Sequence, residues 1–153
     1  DHRDLHSFPT RRSSDLQLAS LSKRTSRSRS AERSARSGLP LAAGTLAAMA
    51  IANSLLVKTA FFGQDANWGR ILAAVGYSGA QIDQDRVALS FDDVPMVRDG
   101  VFVGDDSEER GTEVLRKKEF SVTVDLRLGT GNATVYTSDI SHEYVSINAD
   151  YRT

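Results

Sequence analysis

Hydrophobic positions along the chain fall into short runs with distinct periods, nearly all of them after residue 38. Residues 39–57, LPLAAGTLAAMAIANSLLV, carry no charge, and Leu46, Met49, Ala50, Asn53 and Val57 recur at helical spacing, which predicts a buried helix. The apolar stretch 57–63, VKTAFFG, reads as a short strand. In QDANWGRILAAVGYSG, Asp65 or Asn67 caps a helix that starts near Trp68, with Ile71, Leu72 and Val75 on one face and Gly76 and Gly79 marking its end. Residues 86–91 alternate at Val87, Leu89 and Phe91 as a strand does, and 94–97 and 101–103 flank the turn signal Arg98-Asp99-Gly100 as the arms of a hairpin. Residues 106–118 read as a helix opened by Asp106 with Glu109 three residues on, in the manner of a capping box. Acidic residues 105, 106, 108 and 109 at its start and Arg116, Lys117 and Lys118 at its end suit the helix dipole. Phe120, Val122, Val124, Leu126 and Leu128 then share one face of a strand, with Ser121, Thr123, Asp125 and Arg127 on the other. Gly129-Thr130-Gly131-Asn132 turns that strand into another at 133–138. The resulting order from residue 41, α β α β β α β β and a tail, is an α+β domain with a largely antiparallel sheet.

The first 40 residues have another character. They carry nine Lys/Arg and four Asp/Glu, against ten and sixteen in 41–153, so a segment of +5 precedes a body of −6. From Ser22 to Gly38 the chain is nearly all Ser, Arg and Ala, too polar to offset the entropy of ordering. A Ser/Arg-rich arm of this kind can bind nucleic acid, but it lacks the interleaved aromatics of single-strand binders, and a disordered, non-native segment is the simpler reading. Residues 1–16, DHRDLHSFPTRRSSDL, look like translated adapter sequence, so His2 and His6 are given no metal role. The domains are therefore 1–40, extrinsic to the fold, and 41–153.

A basic stretch followed by uncharged residues also has the form of a signal anchor, and Arg11-Arg12 adds a superficial export signal. Ala dominates 39–57, however, Gly44, Thr45, Asn53 and Ser54 interrupt it, and its length is at the short limit for a bilayer, so no membrane is expected. The acidic body offers no broad basic face, so no nucleic acid is expected there either. With no cysteine in the chain, disulfides, thiolate metal sites and a cysteine nucleophile are excluded.

No nucleophile stands beside an evident base. Ser141, His142 and Glu143 are sequence neighbours, and on a strand they point to alternate faces rather than converging. Asp92-Asp93 and Asp105-Asp106 lack the spacing of a calcium loop and are explained by loop solvation and capping. Gly129-Thr130-Gly131 has neither the lysine nor the following helix of a phosphate loop, and the sequon Asn132-Ala133-Thr134 is explained by a turn. No catalytic residue and no metal site is assigned.

Two stretches go further. LLVKTAFFGQDANWGRILAAVG at 55–76 and YTSDISHEYVSINADYRT at the chain end closely resemble the ornithine acetyltransferase family, in the expected order, and the resemblance spans about residues 42–153. It implies the C-terminal part of the β chain of an enzyme that cleaves itself before a threonine. That threonine then moves acetyl from N-acetylornithine to glutamate in arginine biosynthesis, releasing ornithine; some members also take acetyl from acetyl-CoA, and no bound cofactor is implied. The implied fold is part of a two-sheet α+β sandwich, mostly antiparallel, with packed helices. The implied partners are the α chain of the same precursor, in a heterotetramer, and the implied location is the cytoplasm. The nucleophilic threonine and oxyanion donors have no counterpart here, and the Ser/Arg-rich stretch stands where a substrate-contacting GEGATK-like segment belongs; Glu32 is not in such a motif. The isolated chain is therefore expected to be inactive. Asn148 and Thr153 fall at the positions of the family's substrate-binding asparagine and threonine. Lys58, Thr59, Asp65, Asn67 and Arg70 are read as structural, with Asp65 and Asn67 capping, Trp68 in the core and Arg70 paired locally, while a site-lining role for Lys58 stays open. The alternative function is a non-enzymatic, basic-armed protein that binds nucleic acid or is tethered to a membrane.

Overall fold

Ser54 decides the shape of the helical layer. The computed structural model describes residues 16–18 and 39–150, with side-chain surroundings from residue 43 onward. Helix α1 (Leu39–Asn53) ends one residue before Ser54, which is extended at φ −71°, ψ 114° and restarts the helix as α2 (Leu55–Phe62) by accepting the Val57 N–H on its Oγ at 3.4 Å. The two helices are bent 58° apart. This corrects two expectations, and the burial corrects a third, since Leu46, Met49 and Asn53 are exposed while Ala47, Ala48, Ile51 and Ala52 are buried. The helix does not run through 57, and 57–62 is helical rather than a strand, with Gly63 as the C-cap. A short apolar run has no period that separates buried strand from buried helix, and the capping hydroxyl next to it decides. Among the described residues no single helix is long and apolar enough to cross a membrane, although α1 and α2 together meet the length and composition of a span. The inward faces of these helices, including Ala47, Ile51, Val57 and Phe61, are buried in protein.

Helix α3 (Trp68–Gly76) starts where the sequence places it. Asn67 is its N-cap, its Oδ1 accepting the Arg70 N–H at 3.1 Å, while Asp65 supports the cap by accepting Asn67 Nδ2 at 3.0 Å. Ile71, Ala74 and Val75 are buried on its inner face. Trp68 is partly buried and stacks on Phe102 with ring centroids 5.2 Å apart and 11° between planes.

The sheet has the order β1-β5-β2-β3-β4, from β1 (Leu16–Leu18), β2 (Ala88–Phe91), β3 (Val94–Arg98), β4 (Val101–Phe102) and β5 (Phe120–Asp125). All pairings are antiparallel except β1 on β5, where Leu16–Leu18 lie opposite Phe120, Ser121 and Val122. Residues 1–40 are expected to add nothing to the fold; Leu16–Leu18 in β1 and Leu39 and Pro40, which open α1, depart from that, and 1–15 and 19–38 lie outside the described residues. The alternation in β5 holds, with Phe120 and Val122 buried and Ser121 and Thr123 half-buried. The β3–β4 turn is the expected one: Asp99 and Gly100 both have positive φ, 50° and 76°, the signature of a type I′ turn whose twist matches the strands it joins.

A second tight turn, Asp92-Asp93, joins β2 to β3. Asp92 has φ 49°, and its carboxylate accepts the Ser121 N–H at 2.7 Å and Lys117 Nζ at 2.8 Å, while its own N–H donates to Ser121 O at 2.8 Å. Loop solvation does not describe this residue; it clips the turn to the start of β5.

Helix α4 (Asp105–Leu115) differs from the expected 106–118 at both ends. Its N-cap is Gly104, with no side-chain cap, so the expected Asp106–Glu109 box does not form; Asp105, Asp106 and Glu108 in the first turn still suit the dipole. Arg116 caps the C-terminus and pairs with Glu113, and Lys117 leaves the helix for Asp92. Gly111 faces the sheet so closely that an added Cβ would lie 2.9 Å from Met96 Sδ.

After β5 the expected strand at 133–138 is absent. Both edges of β5 already carry neighbours, β1 and β2, and Arg127 at φ 50° turns the chain away. The segment crosses the helical layer instead, with Val135 packed on the core and Thr137 Oγ1 donating to Ala52 O at 3.0 Å. It ends in α5 (His142–Asp150), which replaces the expected tail. One apolar core unites helices and sheet, and Phe61 on α2 meets Phe120 on β5 edge-on at 5.2 Å.

Candidate functional site

Asn148 lies on α5. That helix starts because Ser141 Oγ accepts the Tyr144 N–H at 3.0 Å, one turn in, so Ser141-His142-Glu143 opens a helix rather than lying on a strand. The three side chains still do not converge, since successive helical positions are rotated well apart. Asn148 is exposed, and its Nδ2 donates to Tyr144 O at 2.8 Å, one turn back. Its Oδ1 has no partner among the described residues, which leaves an amide oxygen able to accept from an ammonium or amide N–H. Thr153, the other expected substrate contact, lies outside the described residues.

The NWGRI segment makes the local contacts expected of it, with Asn67 capping α3 and Arg70 bonded nearby. Arg70 ties α3 to α2, its Nη1 donating to Leu56 O at 2.9 Å and to Thr59 Oγ1 at 3.4 Å. Thr59 in turn donates to Leu56 O at 3.1 Å. Lys58 is half-buried on α2, and among the described residues its Nζ has no hydrogen bond or ion pair.

Three further places gather charge. Lys117 is held above its ordinary value of 10.5 by its hydrogen bond to Asp92 and by the charge of that carboxylate. An open groove of about 700 Å³ at one end of the sheet is lined by Arg86, Asp99, Asp125, Arg127, Leu128 and Thr130, with Arg127 and Asp99 ion-paired across it. The outer face of α4 presents Asp105, Glu108, Glu109 and Glu113. Among the described residues no three His, Asp or Glu side chains are grouped to hold a metal ion. Sequence reasoning did not find the contact between the rings of His142 and Phe62, 5.4 Å apart and 86° between planes. Eighty positions separate the two residues, and no local pattern announces such a pair.

The fold and the motif-bearing segments place the chain in a class: α+β proteins with the fold of the ArgJ proteins. The ArgJ family pattern matches residues 38–153, and the chain belongs to the ArgJ family. It is 76% identical over 107 residues to the arginine biosynthesis bifunctional protein ArgJ of Geobacter sulfurreducens, a match covering 70% of this chain and 27% of that protein. The protein of the same name from Syntrophotalea carbinolica is 61% identical over 103 residues, covering 67% and 26%. The crystal structure of arginine biosynthesis bifunctional protein ArgJ from Bacillus halodurans superposes with a TM-score of 0.70 at 26% identity, covering 90% of this chain and 56% of that one. The chain thus spans about a quarter of the length of the curated relatives it matches.

Proposed function

We propose that this chain is the C-terminal part of the β chain of an enzyme that moves acetyl from N-acetylornithine to glutamate in arginine biosynthesis. The observation that carries the reading is the 76% identity, over 107 residues, to a protein named for arginine biosynthesis and for two functions. In this reading the parent is cytoplasmic, needs no bound cofactor, takes acetyl-CoA as a co-substrate where it is bifunctional, and assembles with its α chain into a heterotetramer. Residues 1–37, ahead of the stretch that matches the family, stand outside the native polypeptide, although Leu16–Leu18 pair with β5. Asn148 and Thr153 bind the amino-acid headgroup of the substrate. The amide oxygen of Asn148, without a partner among the described residues and on the exposed helix α5, suits that task.

The chain by itself has no acetyltransferase activity in this reading. Acyl transfer needs a nucleophile beside its base and donors aimed at the developing oxyanion, and no such set is assembled by Ser141, His142 and Glu143. Binding groups alone do not lower the chemical barrier. The test uses the purified chain and a chimera in which residues 42–153 replace the matching segment of the Geobacter sulfurreducens relative, both assayed for ornithine release from N-acetylornithine and glutamate. The chimera should turn over and the chain should not. In the chimera, Asn148→Ala should lower kcat/KM for N-acetylornithine about tenfold or more, the scale of a lost hydrogen bond to a charged or polar headgroup. An unchanged kcat/KM removes Asn148 from the site. Turnover by the chain alone that vanishes on substituting His142 or one of its hydroxyls overturns the inactivity.

A further inference from the structure

Helix α5 carries Asn148, yet no residue of α5 is buried, and residues 126–141 that tether it contain no helix or strand. A helix on such a tether needs contacts to be held in one place. Thr137 pins the tether to the end of α1 through its bond to Ala52 O at 3.0 Å. Five residues later the His142 ring meets the Phe62 ring, at the end of α2, edge-on at 5.4 Å and 86°. His142 opens α5 and Asn148 follows six residues on, about 9 Å along the axis.

We infer that His142 is a positioning residue, whose ring docks α5 on Phe62 and thereby sets where Asn148 is presented to substrate. The inference rests on the reading of Asn148 as a substrate contact. Its physical content is a population. When α5 is undocked, Asn148 is out of place, and the apparent affinity for substrate falls in proportion to the docked fraction. At saturating substrate the helix is captured in place, so the chemical step is untouched. The ring acts through its edge and face, not by proton transfer, and another aromatic side chain serves as well.

In the chimera, His142→Ala should raise KM for N-acetylornithine about three- to tenfold, the range set by an edge-to-face pair, with kcat unchanged within about twofold. His142→Phe should restore KM to within about twofold of the starting value. Phe62→Leu should raise KM as His142→Ala does, and the double substitution should add nothing further, because one contact is being removed twice. A KM unmoved by His142→Ala, where Asn148→Ala does move it, overturns the positioning role and leaves the substrate role of Asn148 intact. A KM unmoved by either removes both. A fall in kcat at constant KM, not rescued by Phe, would make His142 a participant in the chemistry and also overturn the inference. A second measurement needs only the 153-residue chain: amide hydrogen exchange across 145–150 should quicken in His142→Ala and not in His142→Phe. Alanine is the better helix former, so faster exchange in that variant reports undocking and not lost propensity; equal rates in the two variants and the unsubstituted chain overturn the contact.

Discussion

Gly100→Ala isolates how far the sheet depends on one turn. Gly100 is the second residue of the β3–β4 turn, at φ 76°, and its N–H donates to Val87 O at 2.9 Å. A Cβ built there would sit 2.4 Å from Gln84 O and 3.0 Å from Asp85 Cα, both backbone atoms that cannot swing aside as a side-chain tip does. The left-handed conformation costs a residue with a Cβ about 1–2 kcal/mol. Forcing the 84–85 backbone away adds about 1–3 kcal/mol, as overpacking does. If the turn yields instead, the bond to Val87 is lost, at about 1 kcal/mol. The expected total is about 2–5 kcal/mol, a large part of the about 5–15 kcal/mol that stabilises an ordinary domain. Two other glycines provide the scale. Gly79 has φ 82° but open space around its Cβ position, so Gly79→Ala should cost about 1–2 kcal/mol, the conformational part alone. Gly76, helical and also in open space, should be neutral or gain up to about 1 kcal/mol on replacement by Ala. Urea unfolding of the three variants, followed by circular dichroism, measures the series. Equal losses for Gly100→Ala and Gly79→Ala would show that the approach to Gln84 has no energetic weight and would refute the reasoning.

Asp92→Ala should destabilise the chain by about 1–3 kcal/mol, because it removes an acceptor from the half-buried Ser121 N–H and leaves alanine in a left-handed conformation; Asp92→Asn, which tolerates that conformation and keeps an acceptor, should lose less, and equal losses would sink the account. The Lys117 pair has a definite pH dependence: since Asp92 raises the lysine, its contribution is complete below pH 10.5 and is lost as pH rises through the raised value, so the stability gap between the chain and Lys117→Met should be constant from neutral pH to that point and close above it. Deleting residues 1–38 removes, among the described residues, only β1 from the sheet and should shift Tm by no more than a few degrees; a shift of about 10 °C or more in a calorimetric scan would make β1 integral to the domain.

What the sequence by itself determined is local. Asn67 ahead of an apolar stripe specifies α3, because a cap and a 3.6-residue period are both properties of consecutive residues. Asp99-Gly100 between apolar arms specifies a type I′ hairpin, because few residues accept two positive φ angles in a row. Alternation specifies β5 and the face it buries. The motifs at 55–76 and at the chain end specified the family, and they placed Asn148 and Thr153 as candidates without saying what surrounds either. The tertiary structure decided the rest. The apolar run at 57–62 is helical because Ser54 restarts a helix that α1, α3 and the Phe61–Phe120 contact then bury. Residues 133–138 form no strand because β1 and β2 already occupy both edges of β5. Asp92 becomes a clip only when Ser121, 29 positions away, is brought beside it, and His142 acquires a partner only when the chain has recrossed α2. Caps, turns and periods act over a few residues and are written where they act; pairing edges, ring contacts and the placing of the helix that carries Asn148 depend on which distant segments arrive, and that is settled by burial of the shared core.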